Sequence, residues 1–327
     1  MNLKNRLTEW LRSSPTIMRL YKRYFDQVQN RRYFSGLEVH EEMVADVVRN
    51  EAYHRAIAKH VGPDDVVVDF GTGTGLLAFF AASKSPRKIY AIDHSDILPI
   101  SREIAEKNGI SGVDFIRVNS RKFQPAEPVD VIIHEQISPD LFSENMVANV
   151  ADLRRRILRP GGKILPGYFD LYIEPVMLKD DCRLPFLWEQ DVFGVRYGGQ
   201  RQTMESRFGK AYYRRIIHPG DVDRILSRPE KVLSVDLHSM DESDLPKTVK
   251  LQRIIRDDGR MDGFAMYFTV RFDDEISFST SPLDRRTHWG LPLFRTPAKQ
   301  YRPGETVSFE ATITPISAPS SWDWRHY

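Results

Sequence analysis

The chain contains 327 residues, a length typical of about two domains, and the balance of 41% hydrophobic and 28% charged residues excludes a disordered or collagen-like chain. Forty-seven basic and 45 acidic residues give a net charge of +2, without the strong field typical of proteins that bind nucleic acid or acidic lipids. A single cysteine, Cys182, excludes an internal disulfide and a thiolate zinc site. We therefore expect a cytoplasmic protein with no metal, nucleic-acid or membrane partner.

The N-terminal part, residues 1–40, is predicted to be a basic helical segment. Residues 1–34 carry eight basic and two acidic side chains, with apolar residues at helical spacing. Two interpretations fit this pattern. One is an arm that contacts an acidic partner or membrane surface, and the other, which is commoner, is a packed helix pair with a solvated basic face.

The next part, residues 41–166, alternates apolar strands with helices. The predicted strands are residues 66–70, 89–93, 114–118 and 129–134. The predicted helices between them are residues 76–82 and 97–108. Because this alternation is typical of parallel strands joined by crossover helices, the sequence predicts a doubly wound α/β sheet.

Residues 167–327 contain mostly strand patterns, many with the alternation of half-buried antiparallel strands. The predicted strands are residues 169–175, 233–237, 248–255, 264–272 and 306–313. A long connection over residues 186–232 interrupts them, and we expect a helical insertion there.

A glycine-rich loop, Gly71-Thr72-Gly73-Thr74-Gly75, follows the first predicted strand and opens a helix. Asp69 precedes the loop, and Asp93 ends the next strand 22 residues beyond Gly71. A carboxylate at that strand end can accept hydrogen bonds from both ribose hydroxyls of a nucleoside. The G-x-G-x-G spacing differs from the dinucleotide pattern, and together with Asp69 it favours S-adenosylmethionine over NAD.

Two glutamates, Glu135 and Glu144, lie nine residues apart just after the 129–134 strand. Ser138-Pro139-Asp140 predicts a turn between them, so the two carboxylates can face each other. Such carboxylates repel unless a cation lies between them, and the planar guanidinium is well suited to that place. The alternative is that Glu144 only caps the helix that follows.

Four blocks of the chain together resemble the protein arginine methyltransferase family. They are His40-Glu41-Glu42-Met43 continuing through Asp46 to Arg49, residues 67–82, the pair Glu135 and Glu144, and Ser279-Thr280-Ser281-Pro282 with Thr287-His288-Trp289. A lone Thr-His-Trp tripeptide means little. All four blocks in this order are highly specific, and they span most of residues 33–315.

The resemblance implies a Rossmann-like methyltransferase domain over residues 41–166, followed by a mainly antiparallel β-barrel domain over residues 167–327. It also implies a helical dimerisation arm inserted in the barrel at about residues 186–217, and hence a homodimer. The candidate aromatic anchors of that arm are Tyr197, Phe208, Tyr212 and Tyr213.

The resemblance also implies which residues bind the cofactor. Arg49 would pair with the carboxylate of the methionine part, Asp93 would bind the ribose, and Met43 would lie near the transferred methyl group. The implied cofactor-binding residues are His40, Met43, Arg49, Asp69, Gly71, Thr72, Gly73, Gly75 and Asp93.

On the substrate side, the resemblance implies that the two glutamates clamp a guanidinium group and that a histidine–aspartate pair lies across the active site. The implied catalytic residues are Glu135, Glu144, His288 and Asp46. The implied substrate-binding residues are Glu135, Glu144, Trp289 and Phe34.

The chain departs from the family pattern around the substrate. The family usually has Ser-Glu-Trp-Met-Gly-Tyr where this chain has His134-Glu135-Gln136-Ile137-Ser138-Pro139. Phe34 stands where the last tyrosine of a Tyr-Phe-x-x-Tyr motif is expected, and the glutamate that contacts adenine is replaced near Arg121-Lys122. These departures leave the two glutamates of the guanidinium clamp in place. They leave undetermined which substrate is used and how many methyl groups are transferred.

Three hypotheses follow. The first is an S-adenosylmethionine-dependent arginine N-methyltransferase that acts on a protein or peptide. The second is the same chemistry on free L-arginine or a guanidine metabolite. The third is a catalytically weak dimeric binding scaffold, against which the retention of Arg49, Asp93, both glutamates and His288 argues.

Overall fold

The structure is a computed structural model that describes residues 36–208, 213–312 and 322–327. Helices α1 (Leu37–Ala45) and α2 (Val47–His60) come first. Asp46 lies between them, and its side chain accepts a hydrogen bond from the backbone N–H of Arg49 (3.0 Å), which caps α2. The predictions for residues 1–35, including Phe34, lie outside the described residues.

A five-stranded parallel sheet forms the first half of the fold. Its strands are β1 (Val66–Phe70), β2 (Lys88–Asp93), β3 (Val113–Arg117), β4 (Val129–His134) and β5 (Leu158–Leu165). They lie in the order β3-β2-β1-β4-β5, and all neighbours are parallel. The connecting helices are α3 (Leu76–Ala82), α4 (Leu98–Lys107) and α5 (Met146–Ile157).

The position of each strand in this sheet explains its composition. Every residue of the central strand β1, Val-Val-Val-Asp-Phe, is buried, whereas the edge strand β3 is partly exposed along its length. The chain order of the strands reverses between β1 and β4, so this is the point at which an open α/β sheet binds ligands. The predicted Rossmann-like fold is confirmed.

The second half is antiparallel. Its elements in chain order are β6 (Tyr168–Leu178), β7 (Asp191–Val192), β8 (Val195–Arg196), α6 (Arg201–Phe208), β9 (Arg214–Ile217), β10 (Val222–Ile225), β11 (Lys231–Asp236), β12 (Thr248–Ile254), β13 (Gly259–Arg271), β14 (Ser277–Ser279), β15 (Leu291–Tyr301), β16 (Thr306–Thr312) and β17 (Asp323–His326). One sheet has the order β10-β6-β13-β15-β9, with β11 paired to β6 and β14 to β13. A smaller sheet has the order β12-β16-β17.

Aromatic rings join these two sheets into a barrel-like body. Phe264 and Phe294 of the larger sheet pack against Phe309 of the smaller sheet, with ring centroids 5.2 and 5.1 Å apart. Trp324 of β17 completes the group and lies 5.4 Å from Phe294. These side chains are buried, so they form the core that holds the antiparallel half together.

The described part of the insertion between β6 and β9 combines short helices with a β-hairpin. It contains a short 3-10 helix (Leu187–Glu189), the β7–β8 hairpin and α6. Phe193 at the hairpin tip is fully exposed, and its neighbours Val192 and Val195 are also exposed. The insertion therefore exposes apolar side chains to solvent at the two-residue turn between β7 and β8 and beside it.

Of the predicted aromatic anchors in this insertion, Tyr197 is exposed. Tyr213 is buried, and its ring contacts Phe186 and Trp324 of the same chain, so it is not available as an anchor. Tyr212 and the side chain of Phe208 lie outside the described residues. Across the described ranges, no helix is both long and apolar enough to cross a membrane.

Candidate active site

The candidate site lies where β1, β2 and β4 end at the carboxyl edge of the parallel sheet. The glycine-rich loop follows β1, Asp93 ends β2 and Glu135 follows β4. All three predicted features therefore lie at one edge, next to the point where the strand order reverses. Helices α1 and α2 contribute further side chains to this edge.

The glycine loop has a backbone that requires glycine. Gly71, Gly73 and Gly75 have φ angles of +74°, +54° and +91°, a region that residues with a Cβ rarely adopt. A Cβ atom added at Gly73 would also lie 2.9 Å from Cε1 of His40. Glycine at this position thus lets α1 approach the loop, which brings His40 beside the predicted cofactor pocket.

Asp69 lies beneath this loop, and one of its two carboxylate oxygens accepts hydrogen bonds from the loop and from α3. Its Oδ2 accepts hydrogen bonds from Thr72 Oγ1 (2.5 Å) and from the backbone N–H of Ala78 (3.1 Å). Its buried Oδ1 has no hydrogen-bond partner in the part of the chain that the structure describes. Burial, with a smaller contribution from the nearby Asp93 charge, raises the pKa of Asp69 to about 7. The free oxygen is suited to accept a hydrogen bond from a ligand ammonium group.

Asp93 is held at the end of β2 by the backbone. Its Oδ2 accepts from the N–H of Gly73 (3.0 Å) and its Oδ1 accepts from the N–H of Ser95 (2.7 Å). Each carboxylate oxygen has a second lone pair available. The carboxylate is therefore fixed in orientation and can still accept two hydroxyl groups.

Arg49 is buried on α2 and faces the same site. Its Nη1 donates to the carbonyl of Met43 (3.4 Å) and to Asn50 Oδ1 (2.7 Å), and its Nη2 lies 3.5 Å from Glu135 Oε2. Its buried Nε has no hydrogen-bond partner among the described residues. A buried guanidinium N–H and the free oxygen of Asp69 together match the carboxylate and ammonium groups of an amino acid.

Asp46 and His288 form the predicted pair between the two halves of the molecule. Nδ1 of His288 lies 2.8 Å from Asp46 Oδ2, and the backbone N–H of His288 donates to the same oxygen (2.8 Å). Burial alone would raise the pKa of Asp46, but hydrogen bonds from the His288 ring and from two backbone N–H groups outweigh it and lower the pKa. The carboxylate of Asp46 is therefore stabilised in its charged form.

Glu135 and Glu144 lie at the two ends of the loop after β4, which we call the double-glutamate loop (residues 135–145). Burial, and then the charges of Glu135 and Asp140, raises the pKa of Glu144 well above its usual value. The side chain of Glu144 has no cationic partner among the described residues. Two acidic groups near each other, only one of them paired, create a site that favours an incoming cation.

Trp289, a predicted substrate-binding residue, is buried and contacts the double-glutamate loop. Its indole N–H donates to the carbonyl of Ile137 (2.6 Å), and its ring stacks on Phe278 (centroids 5.6 Å apart). The antiparallel half thus supports the loop directly. A direct role of Trp289 in substrate binding stays a prediction. No group of three or more potential metal ligands occurs within residues 36–208, 213–312 and 322–327.

Comparison with known proteins identifies the family. A model described as the arginine methyltransferase oligomerization subdomain matches residues 170–323, and a methyltransferase domain model matches residues 62–217. Protein arginine N-methyltransferase 6 of Danio rerio is 33% identical over 276 residues, which cover 81% of this chain and 76% of the relative. The chain belongs to the protein arginine N-methyltransferase family. The prediction of an S-adenosylmethionine-dependent enzyme is confirmed at the level of this family.

Other similar proteins agree. Probable protein arginine N-methyltransferase 1.2 of Arabidopsis thaliana is 31% identical over 303 residues, covering 89% of this chain and 78% of the relative. The Trypanosoma brucei PRMT1 enzyme–prozyme heterotetrameric complex with AdoHcy superposes with a TM-score of 0.74 at 24% identity, covering 85% and 88% of the two chains. A crystal structure of PRMT6 with SAH gives 0.68 at 19% identity, covering 89% and 99%. The predicted order of a Rossmann-like half and a barrel-like half is that of this fold.

Sequence reasoning missed several residues that shape this methyltransferase site. Tyr53 of α2 lies under the Arg49 guanidinium (5.2 Å to the ring centroid) and donates its hydroxyl to the carbonyl of His134 (2.8 Å). Asn149 of α5 donates to Gln136 Oε1 (3.1 Å) and to the carbonyl of Glu144 (3.2 Å), so it joins both ends of the double-glutamate loop. In the sequence, Tyr53 has the spacing of a core aromatic residue and Asn149 that of an exposed polar residue. Neither pattern indicates a place in the site.

Proposed function

We propose that the protein transfers a methyl group from S-adenosylmethionine to a terminal guanidino nitrogen of an arginine side chain in a protein. The observation that carries this proposal is the double-glutamate loop at the carboxyl end of β4. In the described part of the chain, Glu135 pairs with Arg49 and Glu144 has no cationic partner. A substrate guanidinium would remove the repulsion between these two acids. The names of the relatives favour a protein substrate.

The cofactor pocket fits the methyl donor. Arg49 Nε and Asp69 Oδ1, both buried and unpartnered among the described residues, would hold the carboxylate and ammonium of its methionine part. Asp93 would accept from its ribose hydroxyls. S-adenosylmethionine, when bound, supplies a methyl group that is already activated by the sulfonium charge. The protein therefore needs to position the reactants and exclude water.

The guanidinium group is a weak nucleophile because its lone pairs are delocalised. Glu135 and Glu144 would draw the positive charge toward the nitrogens they contact, which leaves more electron density on the reacting nitrogen. In the transfer a nitrogen–carbon bond forms, the carbon–sulfur bond breaks and the nitrogen then loses one proton. Positioning of this kind can contribute about 7–11 kcal/mol to the barrier reduction.

Two groups of this chain are suited to receive that proton. Glu144 has a raised pKa, which makes its carboxylate a better base. The His288 ring, held by Asp46 at 2.8 Å, is the second candidate. We infer that either group can complete the transfer, with the Asp46 carboxylate holding the His288 ring in position.

The test is transfer of label from methyl-labelled S-adenosylmethionine, offered an arginine–glycine peptide and free L-arginine in parallel. We expect label on the peptide and none on free arginine, and mass analysis then counts the methyl groups. Label on free arginine alone would contradict a protein substrate. Label on neither, with S-adenosylhomocysteine binding intact, would favour the scaffold hypothesis.

We also infer that the protein is a homodimer that uses the insertion between β6 and β9. The exposed hairpin residues Val192, Phe193 and Val195 support this, because exposed apolar side chains at one tip are typical of an interaction surface. The oligomerization subdomain model, which matches residues 170–323, also supports it. Sedimentation equilibrium measures the state, and a monomer that persists at high concentration would contradict the proposal.

A further inference from the structure

Asp140, in the middle of the double-glutamate loop, is the hydrogen-bonding centre of that loop. Its buried carboxylate accepts hydrogen bonds from both sides of its own position. The donors within the loop are Ser138 Oγ (2.8 Å), the Phe142 N–H (3.0 Å), the Ser143 N–H (2.9 Å) and Ser143 Oγ (2.7 Å). One side chain thus connects the segment that follows Glu135 to the segment that precedes Glu144.

The backbone next to Asp140 is strained. Leu141 is buried and has a φ angle of +64°, in the left-handed region that a leucine rarely adopts. Such a conformation persists only where the surroundings impose it. The hydrogen bonds of Asp140 to the N–H groups of Phe142 and Ser143 lie directly after Leu141 and supply that constraint.

The fifth hydrogen-bond donor to Asp140 comes from the antiparallel half. Arg214 Nη2 lies 3.1 Å from Asp140 Oδ2, and both side chains are largely buried. Arg214 begins β9, the strand that follows the insertion with the β7–β8 hairpin, and it pairs with Phe294 of β15. A buried ion pair therefore joins the loop that carries both glutamates to the strand that returns from the insertion.

We propose that Asp140 and Arg214 form a positioning pair that sets the separation of Glu135 and Glu144 for the substrate guanidinium. The pair does not touch the reacting atoms. It holds the loop in a strained shape from within, through Asp140, and fixes that shape to the antiparallel half, through Arg214. The inference rests on the proposed function only in naming the guanidinium as the group for which the loop is shaped.

The first test needs no activity. Hydrogen–deuterium exchange of peptides over residues 136–145 is compared in the full-length wild-type protein, Asp140→Asn and Arg214→Met. We expect exchange about tenfold faster in both variants, because the amide hydrogen bonds to Asp140 weaken. Arg214→Met keeps an unbranched apolar side chain without the guanidinium group and is the second variant if Asp140→Asn does not fold. Unchanged exchange in a folded variant would overturn the proposal.

Glu174→Gln is the matched control. Glu174 is also a buried carboxylate that accepts from an arginine (Arg253, 2.8 Å), a serine (Ser227, 2.6 Å) and a backbone N–H (Glu230, 2.8 Å). It lies on β6 and makes none of its hydrogen bonds to the double-glutamate loop. Equal acceleration of loop exchange in Glu174→Gln would mean that the effect is general loss of stability, and would overturn the proposal.

Kinetics supply the second test. We expect Asp140→Asn and Arg214→Met to lower kcat/KM for an arginine peptide about tenfold or more, with KM for S-adenosylmethionine unchanged. Arg214→Lys keeps the charge and should recover part of the loss. Altered loop exchange in a protein whose wild type methylates no arginine substrate would count against the proposed function alone. Normal peptide kinetics in both variants would overturn the positioning role.

Discussion

The cofactor side and the substrate side of this site are built in different ways. On the cofactor side, Asp69, the glycine loop and Asp93 lie within 25 residues of chain and are connected mostly through backbone hydrogen bonds. On the substrate side, the double-glutamate loop is held by Arg49, Trp289 and Arg214, which come from distant parts of the chain. The cofactor side is therefore recognisable as a short sequence motif. The shape of the double-glutamate loop depends also on distant residues, so the loop can keep its two carboxylates while the residues between them differ from the family pattern.

Both sides nevertheless share one electrostatic feature, an acid that is shielded from solvent and has no ion-pair partner among the described residues. The pKa of Asp69 is raised to about 7 and that of Glu144 is raised as well, in both cases first by burial. A buried carboxylate without a cation is costly for the folded protein and favours binding of a positive group. In the proposed function, Asp69 would bind an ammonium group and Glu144 a guanidinium, so each side would bind one cation.

The largest expected effect is on the substrate side. Glu144→Gln keeps the size of the side chain and removes its charge, so we expect kcat for an arginine peptide to fall about 10²–10³-fold. S-adenosylhomocysteine affinity, measured by calorimetry, should stay within about twofold because Glu144 has no predicted contact with the cofactor. Turnover near the wild-type rate would contradict the clamp, and a large loss of affinity would contradict the separation of the two sides.

The same variant should stabilise the ligand-free protein. The folded-state pKa of Glu144 is raised, so its ionisation opposes folding as pH rises from the usual value of 4.5 through the folded-state value. A neutral amide does not ionise, so the melting temperature of Glu144→Gln should exceed that of the wild type at pH 8. The difference should shrink toward pH 4.5. A lower melting temperature at pH 8 would contradict the raised pKa.

The next effect isolates the cofactor side. Asp93→Asn should weaken S-adenosylhomocysteine binding about 10–100-fold, since hydrogen bonds to a charged group contribute about 1.5–3 kcal/mol. Asp96→Asn is the matched control, because Asp96 is exposed, lies three residues further on and pairs with Arg117 at the surface. Equal affinity losses in both variants would mean that general charge, and not the ribose contact, determines binding.

The sequence predicts strands with a strong local pattern better than strands that depend on pairing with distant parts of the chain. The bounds of β1 and β4 were predicted as the structure has them, because buried strands in a parallel sheet are continuous apolar runs. Strand β15 was not predicted, since Pro292 and Pro297 are typical of turns or edges. It forms because β13 and β9 pair with it on both sides. After Leu158, β5 continues with Arg159-Pro160-Gly161-Gly162, which likewise has the pattern of a turn.

In the site, the residues that spacing alone predicts are local, whereas the distant Asp46–His288 pair was predicted only through the family resemblance. The glycine loop and Asp93 are examples, and their geometry follows from one strand–helix unit and its neighbour. The Asp140–Arg214 pair joins residues 74 positions apart, and the Trp289–Ile137 hydrogen bond joins residues 152 positions apart. Contacts at such separations depend on how the two halves pack, which a single sequence does not reveal.

The smallest expected effect concerns the proton on Asp69. With a pKa of about 7, this carboxyl is about half protonated at pH 7 in the ligand-free protein. A ligand ammonium at Oδ1 would favour the carboxylate, so binding of S-adenosylhomocysteine should release about half a proton at pH 7 and nearly one at pH 5.5. Calorimetry in phosphate and in buffers with a large ionisation enthalpy measures this release from the difference in binding heat.

Asp69→Asn should bind more weakly and release no proton, whereas Asp96→Asn should release the wild-type amount. A binding heat that is independent of the buffer at pH 5.5 would mean that Asp69 releases no proton when the ligand binds. Asp69 is then either already ionised, which would contradict its raised pKa, or still protonated in the complex, which would contradict an ammonium group at Oδ1. In the second case, only the substrate side of the site would contain an acid that binds a cationic group of a ligand.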